Sequence, residues 1–363
     1  MKQTTDKGLV AVALSGGVDS TAAAIRLMDE GYRCFGITMY LFDLPDETGA
    51  LVPPLFLKDA KRVADALGIE HHIIDMRDIF KEKIMYPFAE AYIKGETPNP
   101  CVLCNKSIKY GLLLDKAMDL GADFMATGHY ARNIFNEKSR KFELYKGLAD
   151  RKDQAYVMYG LSQNQLKHIL FPNGSYTSKD EIRKIVSDKN IFTASKKDSM
   201  GICFVPDGNY GRVIETLKPN AVHTGNFVNT QNEVLGRHKG IVYYTIGQKR
   251  NLGIDLPSPM SVIELRQDTN EVVLGKDEQT YARAILVDDF HMISGEVNDL
   301  PKSFELKMFN WGLLLKARGK QLGNRQVEIV FDKPERAPVC GQHTVIYDGD
   351  RILGGGRIVK VIK

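Results

Sequence analysis

The chain has 363 residues, 43% of them hydrophobic and 26% charged; this is the balance of a globular protein with material for more than one core, and it excludes disorder as the main state. Lysine and arginine total 49 against 45 acidic residues, a net charge of +4 that neither demands nor forbids a nucleic-acid partner. Five cysteines (Cys34, Cys101, Cys104, Cys203 and Cys340) are too few and too irregular for a secreted disulfide scaffold. With no signal-type apolar core behind Met1 and no run of eighteen apolar residues, the expectation is a cytoplasmic protein that does not span a membrane.

Leu9–Leu14 reads as a buried strand, and Val18–Glu30 has helical composition and stops at Gly31. The pattern continues with a strand at Arg33–Leu41, a mobile loop at Leu44–Pro54 and a helix at Lys58–Leu67 closed by Gly68. A strand at His71–Asp75, a helix from about Asp78 to Ile93, a helix at Lys106–Leu120 and a strand at Phe124–Thr127 follow. Such alternation predicts an α/β fold with a doubly wound parallel sheet. Beyond residue 210 helical periodicity fades. Short apolar runs appear at Gly240–Ile246, Met260–Leu265 and Glu271–Leu274, then at Ala284–Val287, Phe304–Met308, Val327–Phe331 and Val345–Tyr347, with a glycine cluster at Gly354–Gly356. They predict two small β domains, so the expected division is a catalytic domain over 1–210, a central β domain over 211–280 and a β-barrel domain over 281–363.

Ser15-Gly16-Gly17-Val18-Asp19-Ser20 falls between the first strand and the first helix. Glycines there let the backbone approach an anion, and the helix N-terminus offers unpaired N–H groups, which suits phosphate. The Walker lysine is missing, and Asp19 would repel a phosphate unless Mg²⁺ intervenes. The hexapeptide resembles the signature of the PP-loop ATP pyrophosphatases, which bind ATP, activate a carbonyl oxygen as its adenylate and release pyrophosphate.

Thr97-Pro98-Asn99-Pro100-Cys101-Val102-Leu103-Cys104-Asn105-Lys106 reads as a proline-fixed loop leading into a helix that opens after Asn105. Cys104 would then lie near a helix N-terminus, which stabilises a thiolate. Asp198-Ser199-Met200-Gly201-Ile202-Cys203-Phe204 puts another cysteine in a loop beside Lys196 and Lys197, while Cys34 and Cys340 read as small buried hydrophobes.

Together with Ala126-Thr127-Gly128-His129-Tyr130, Lys152-Asp153-Gln154, Leu161-Ser162-Gln163, Tyr244-Thr245-Ile246-Gly247-Gln248 and Gly341-Gln342, these segments resemble the bacterial tRNA-specific 2-thiouridylases from residue 8 almost to the end. The resemblance implies replacement of oxygen by sulfur at position two of the wobble uridine in the tRNAs for lysine, glutamate and glutamine, with ATP and Mg²⁺ as cofactors and a sulfur-donor protein of a persulfide relay as partner. It assigns ATP contacts to Ala13, Leu14, Ser15, Gly16, Gly17, Val18, Asp19 and Ser20, with Met39 and Gly128. Cys203 matches the persulfide carrier and Cys104 its nucleophilic partner, leaving a Cys104–Cys203 disulfide after turnover. Asn99, Pro100 and Cys101 fall around the target base, and Lys152, Asp153, Gln154, Gly319 and Gln342 on the tRNA side. Arg318 is either a phosphate contact or part of a solvated strand face, and Lys249 and Arg250 stand the same way. His129 either orients nucleotide or base or is a satisfied histidine at a strand end.

The usual motif of that family has aspartate where this chain has Cys101. Cys101-x-x-Cys104 with Cys203 supplies three thiolates, a set compatible with a [4Fe–4S] cluster having one open iron. The persulfide route is favoured, because the rest of the motif matches the cluster-independent family. A PP-loop C–N ligase would share the loop but have no need of Cys104 and Cys203, and a non-catalytic RNA-binding protein would have no need of an intact loop.

Overall fold

The computed structural model describes residues 7–149, 152–197, 201–256, 258–310, 312–323 and 325–363. The chain divides into two compact units, one of Met1–Lys81, Cys101–Met200 and Asp350–Leu353, the other of Glu82–Pro100, Gly201–Gly349 and Gly354–Lys363.

The first unit carries the predicted parallel sheet, with strands in the order His71–Asp75, Arg33–Tyr40, Leu9–Ala13, Phe124–Ala126 and Ile169–Leu170. Leu9–Ala13 is central, so both its faces are covered and Val10, Ala11 and Val12 have no exposure. The helices Val18–Asp29, Leu55–Leu67 and Lys179–Asp188 bring Val18, Ala22, Ile25, Val63, Ile182 and Val186 into one core with Val10, Val12 and Leu14. Leu55–Leu67 starts three residues earlier than predicted, behind an extended Pro54, and ends at Gly68, whose φ of 66° admits the left-handed cap. The segment read as a mobile loop instead forms a small hairpin, Leu44–Pro45 on Leu51–Val52, in which Asp46 Oδ1 accepts the N–H groups of Thr48 and Ala50. A hairpin that the pattern missed, Ala131–Asn136 with Lys141–Lys146, is extended by Arg351 and Ile352 pairing with Tyr145 and Leu144.

The expected loop around the cysteines is helical from Pro100 onward: Pro100–Leu103 is α-helix, Cys104–Leu112 a wider π-helix and Leu113–Asp119 α-helix again. Pro100 opens it because a first helical residue needs no N–H. The wide turn is held by Gln165, whose Nε2 donates to the carbonyls of Lys106 (3.0 Å) and Tyr110 (2.6 Å).

The second unit holds a four-stranded sheet, in the order Val234–His238, Gly225–Val228, Glu271–Gly275 and Ser261–Arg266. It also holds a six-stranded barrel of Tyr281–Met292, Gln326–Arg336, Leu315–Gly323, Ser303–Lys307, His343–Asp348 and the last strand from Gly354 onward, closed by pairing of the last strand with the first. The glycine cluster lies on that seam. A Cβ on Gly354 would come within 2.1 Å of the His291 carbonyl oxygen, and one on Gly356 within 2.5 Å of Val287. Gly240–Ile246, predicted as a strand, is instead a 3-10 turn at Ile241–Tyr243 entered through Gly240 at φ 140°; the turn sends Ile241 and Tyr244 into the core around Phe227 and Val262.

Candidate active site

The Ser15–Ser20 loop closes on itself: Ser20 Oγ accepts the Ser15 N–H at 3.1 Å, and the Ser20 and Thr21 hydroxyls donate to the Gly17 carbonyl. Gly16 has a φ of 66°, and a Cβ there would lie 2.7 Å from Asp59 Cβ. The helix that follows has no side-chain cap at Gly17, so its first N–H groups suit an anion as cap. Gly128 packs against this backbone, where a Cβ would meet the Asp19 carbonyl carbon at 2.6 Å. Met39 is the penultimate residue of the neighbouring strand, at the same carboxyl edge of the sheet, where open α/β folds bind ligands.

Asp19 is not alone. Lys179 Nζ lies 2.6 Å from each of its carboxylate oxygens and the Tyr130 hydroxyl donates to Oδ1 at 2.6 Å, while Asn173 Nδ2 donates to the carbonyls of Asp19 and Gly128. Lys196 binds the Gly16 carbonyl (2.9 Å) and Asp59 (2.6 Å). A loop without a Walker lysine therefore has two lysines against it. Lys179 follows a Ser178/Glu181 capping box, a legible helix start, but nothing local in sequence ties it to Asp19.

Burial pushes the Cys104 thiol up to about 11, with Lys109 pulling the other way and Cys101 adding to the rise. Desolvation of this half-buried thiol thus works against the thiolate expected there. Burial also raises Cys101, again against Lys109. Lys109 Nζ is 3.5 Å from His129 Nε2, and His129 Nδ1 lies 2.9 Å from the Tyr110 hydroxyl and 2.8 Å from Thr127 Oγ1. Both ring nitrogens have partners, which is the satisfied histidine. Burial and Lys109 hold it well below its usual range, so the ring is neutral. Lys109, unnoticed in the sequence, is the cation common to Cys101, Cys104 and His129.

Cys203, in the second unit, is exposed; its neighbour Phe204 is buried edge-on against Phe88, and Gly201 turns the chain at φ 84°. Asp198, Ser199 and Met200 lie outside the described residues. Lys196, read from the sequence as a neighbour of Cys203, directs its charge to Asp59 in the first unit. All five cysteines are thiols.

Asn99 is half-buried and Pro100 buried. Asp153 is buried, with Oδ1 accepting the N–H groups of Gly147 and Ala155; Gln154 Oε1 accepts the Tyr130 N–H, and Lys152 is half-buried. On the barrel, Lys316, Arg318 and Lys320 point outward in alternation, but Lys316 faces Glu305, Lys320 faces Glu328 and Arg318 lies 3.6 Å from Asp332, a balanced face. Gly319 accommodates Phe304, and Gln342 pairs through its backbone with Ile358. Lys249 and Arg336 both bind Asp277, which Arg336 chiefly holds far below the usual carboxylate range, and Arg250 is exposed.

Among the described residues no three His, Cys, Asp or Glu side chains are grouped to hold a metal ion. No helix among them is long and apolar enough to cross a membrane.

Three family models match in succession: the tRNA methyl transferase HUP domain over residues 8–207, the tRNA methyl transferase PRC-barrel domain over 215–276 and the aminomethyltransferase beta-barrel domain over 282–358. The chain is 39% identical over 359 residues to the tRNA-specific 2-thiouridylase MnmA of Carboxydothermus hydrogenoformans, covering 97% of each. It is 41% identical over 355 residues to that of Clostridium acetobutylicum, covering 96% of this chain and 99% of that one. Among solved structures, a 4-thiouridine synthetase–RNA complex with bound ATP matches 59% of this chain and 51% of that one at 14% identity and a TM-score of 0.37. The match to curated relatives over nearly the full length of both chains decides the family: this chain belongs to the tRNA-specific 2-thiouridylases.

Proposed function

We propose that the chain is a tRNA uridine 2-sulfurtransferase that modifies the wobble uridine of the tRNAs for lysine, glutamate and glutamine. The observation that carries this is the near full-length identity to 2-thiouridylases in a chain that keeps Ser15–Ser20, Cys104 and Cys203. Methyl transfer, the wording of two of the family models, would leave the nucleotide loop and both cysteines without a use. So would the C–N ligase reading leave the cysteines.

A carbonyl oxygen is a poor leaving group. ATP bound along Ala13–Ser20, beside Met39 and Gly128, presents its α-phosphorus to the uridine O2; the O–P bond forms, the bond to the β-phosphate breaks, and pyrophosphate leaves. Asp19 is the residue that would hold Mg²⁺, which supplies charge neutralisation at the phosphates. Lys179, its partner in the structure, would then meet phosphate oxygens. The terminal sulfur of a persulfide on Cys203, loaded by a donor protein, attacks C2, and AMP departs with the former oxygen. The Cys104 thiol gives up its proton, held near Lys109, and attacks the Cys203 sulfur; the S–S electron pair stays on the product sulfur as 2-thiouridine, and a Cys104–Cys203 disulfide remains for an external reductant.

Asn99, Pro100 and Cys101 are proposed to hold the extruded base, with His129 kept neutral behind Lys109. Lys152, Gln154, Arg318 and Gln342 are proposed to face the tRNA, with Asp153 and Gly319 shaping the backbone that carries them. The working division is catalysis in 1–210 and tRNA positioning in 211–280 and 281–363. The tRNA substrate implies a cytoplasmic setting.

The test incubates the protein with ATP, tRNA transcript and a persulfide source. AMP and pyrophosphate formed only with tRNA, together with 2-thiouridine by nucleoside mass spectrometry, are expected; ADP and phosphate as products would refute adenylation.

A further inference from the structure

Two polar residues immediately before Pro98-Asn99-Pro100 receive contacts from two separate β modules of the second unit. The helix Tyr86–Ile93 ends through Gly95, φ 69°, and the Glu96 N–H returns to the Ala91 carbonyl at 2.9 Å. The Thr97 N–H then donates to the Cys340 carbonyl at 2.9 Å, the Thr97 and Thr245 hydroxyls hydrogen-bond to each other, and Arg357 forms an ion pair with the Glu96 carboxylate. Gly341, φ 90°, lies so close that a Cβ on it would be 2.9 Å from Glu96 Cβ and 3.1 Å from Thr97 N.

Each contact is itself anchored. The Gly341 N–H binds the Ile358 carbonyl and the Ile358 N–H the Gln342 carbonyl, fixing the Cys340–Gln342 turn to the strand that carries Arg357. The Thr245 N–H binds Gln248 Oε1, and Gly247 and Gln248 bond Val262 of the central sheet. Downstream, Pro98 and Pro100 restrict both their own φ and the residues before them, so orientation fixed at Thr97 is passed to Asn99 with little slack.

We propose that Glu96 and Thr97 are positioning residues for the target base, held by a seat made of Arg357, the Cys340-Gly341 backbone and Thr245, so that the central and barrel modules set the pose of Asn99 and Pro100. The proposal rests on the functional reading above, in which Asn99 and Pro100 face the uridine. It also gives Thr245 and Gly341, motif residues without an assigned task, a common purpose.

The experiment compares wild type, Glu96→Arg, Arg357→Glu, the double exchange and Gly341→Ala in tRNA-dependent pyrophosphate release. Each single variant should lose at least tenfold in kcat with KM for ATP unchanged within twofold, and the double exchange, which restores opposite charges, should recover most of the loss. Gly341→Ala, which pushes on the same segment without touching the ion pair, should show the same split. Single variants that keep kcat within twofold, a loss undiminished in the double exchange, or a loss carried by KM for ATP would overturn the positioning role while leaving the enzyme's activity established. A wild type that releases no pyrophosphate with tRNA would overturn the functional reading and this proposal with it.

Discussion

Replacing Lys179 by methionine separates a structural clasp from a catalytic cation. Its ammonium sits 2.6 Å from both Asp19 oxygens, with the Tyr130 hydroxyl completing the cluster. The two charged side chains retain 13% and 36% of their exposure. An exposed pair contributes about 0–1 kcal/mol, and breaking a fully buried one costs about 3–5 kcal/mol, so this half-covered pair should cost about 2 kcal/mol when broken, read as a lower urea midpoint. If Lys179 also meets phosphate oxygens as charge shifts during adenylation, its loss removes a preorganised donor, worth about 10²–10³ in kcat. Pyrophosphate release by Lys179→Met, measured with saturating tRNA and ATP, should fall by that factor, and Asp19→Ala should abolish it. A variant with the lowered urea midpoint but kcat within threefold of wild type would make Lys179 a clasp only and refute the reasoning.

Cys203→Ser should still release pyrophosphate with tRNA but form no 2-thiouridine, because a hydroxyl cannot carry a persulfide; thiolation by this variant would contradict the paired-cysteine chemistry. With the half-buried Cys104 thiol raised to about 11, iodoacetamide at pH 7.5 should label exposed Cys203 well before Cys104, and mass spectrometry showing the reverse order would contradict the raised Cys104 thiol. His129 is held neutral, its folded pKa depressed, so the unfolded chain binds the extra proton as pH falls below about 6.5 and stability drops by up to about 1.4 kcal/mol per pH unit. His129→Gln should flatten that part of the urea-midpoint profile, and an unchanged slope would refute the assignment. Cys101→Asp, which sets a carboxylate near Lys109, should keep or raise activity in iron-free protein; an inactive variant together with iron in the wild type would reverse the preference for the persulfide route.

What could be read from the sequence was what is encoded locally. The phosphate loop is a contiguous strand–glycine–helix device, so Ser15 to Ser20 could be placed before any tertiary contact was known. The strand Leu9–Ala13 declared itself because a central parallel strand must be apolar on both faces. Lys179 and Asn173 were illegible because their partners lie 160 and 154 residues away, and a lysine after a capping box looks like any other helix start. The cysteine helix was misplaced because two prolines argue for a loop, whereas Pro100 occupies the one helical position that tolerates it and the π-helix beyond depends on Gln165. Gly240–Ile246 has strand composition, but Gly240's backbone and the burial of Tyr244 decide for a turn. At Cys104, desolvation outweighed the dipole argument.

The residues Asp350–Leu353 belong to the first unit, where Arg351 pairs with Tyr145 and forms an ion pair with Glu143 at 3.0 Å, and the Asp350 carbonyl accepts the Lys146 N–H. During translation the nucleotide-binding module therefore emerges early yet stays one strand short until this late segment leaves the ribosome. Its hairpin keeps an open edge throughout, with backbone groups awaiting a partner encoded some two hundred residues downstream. Premature termination anywhere before residue 350 would thus yield a first unit whose hairpin has an unprotected edge, open to aggregation or proteolysis.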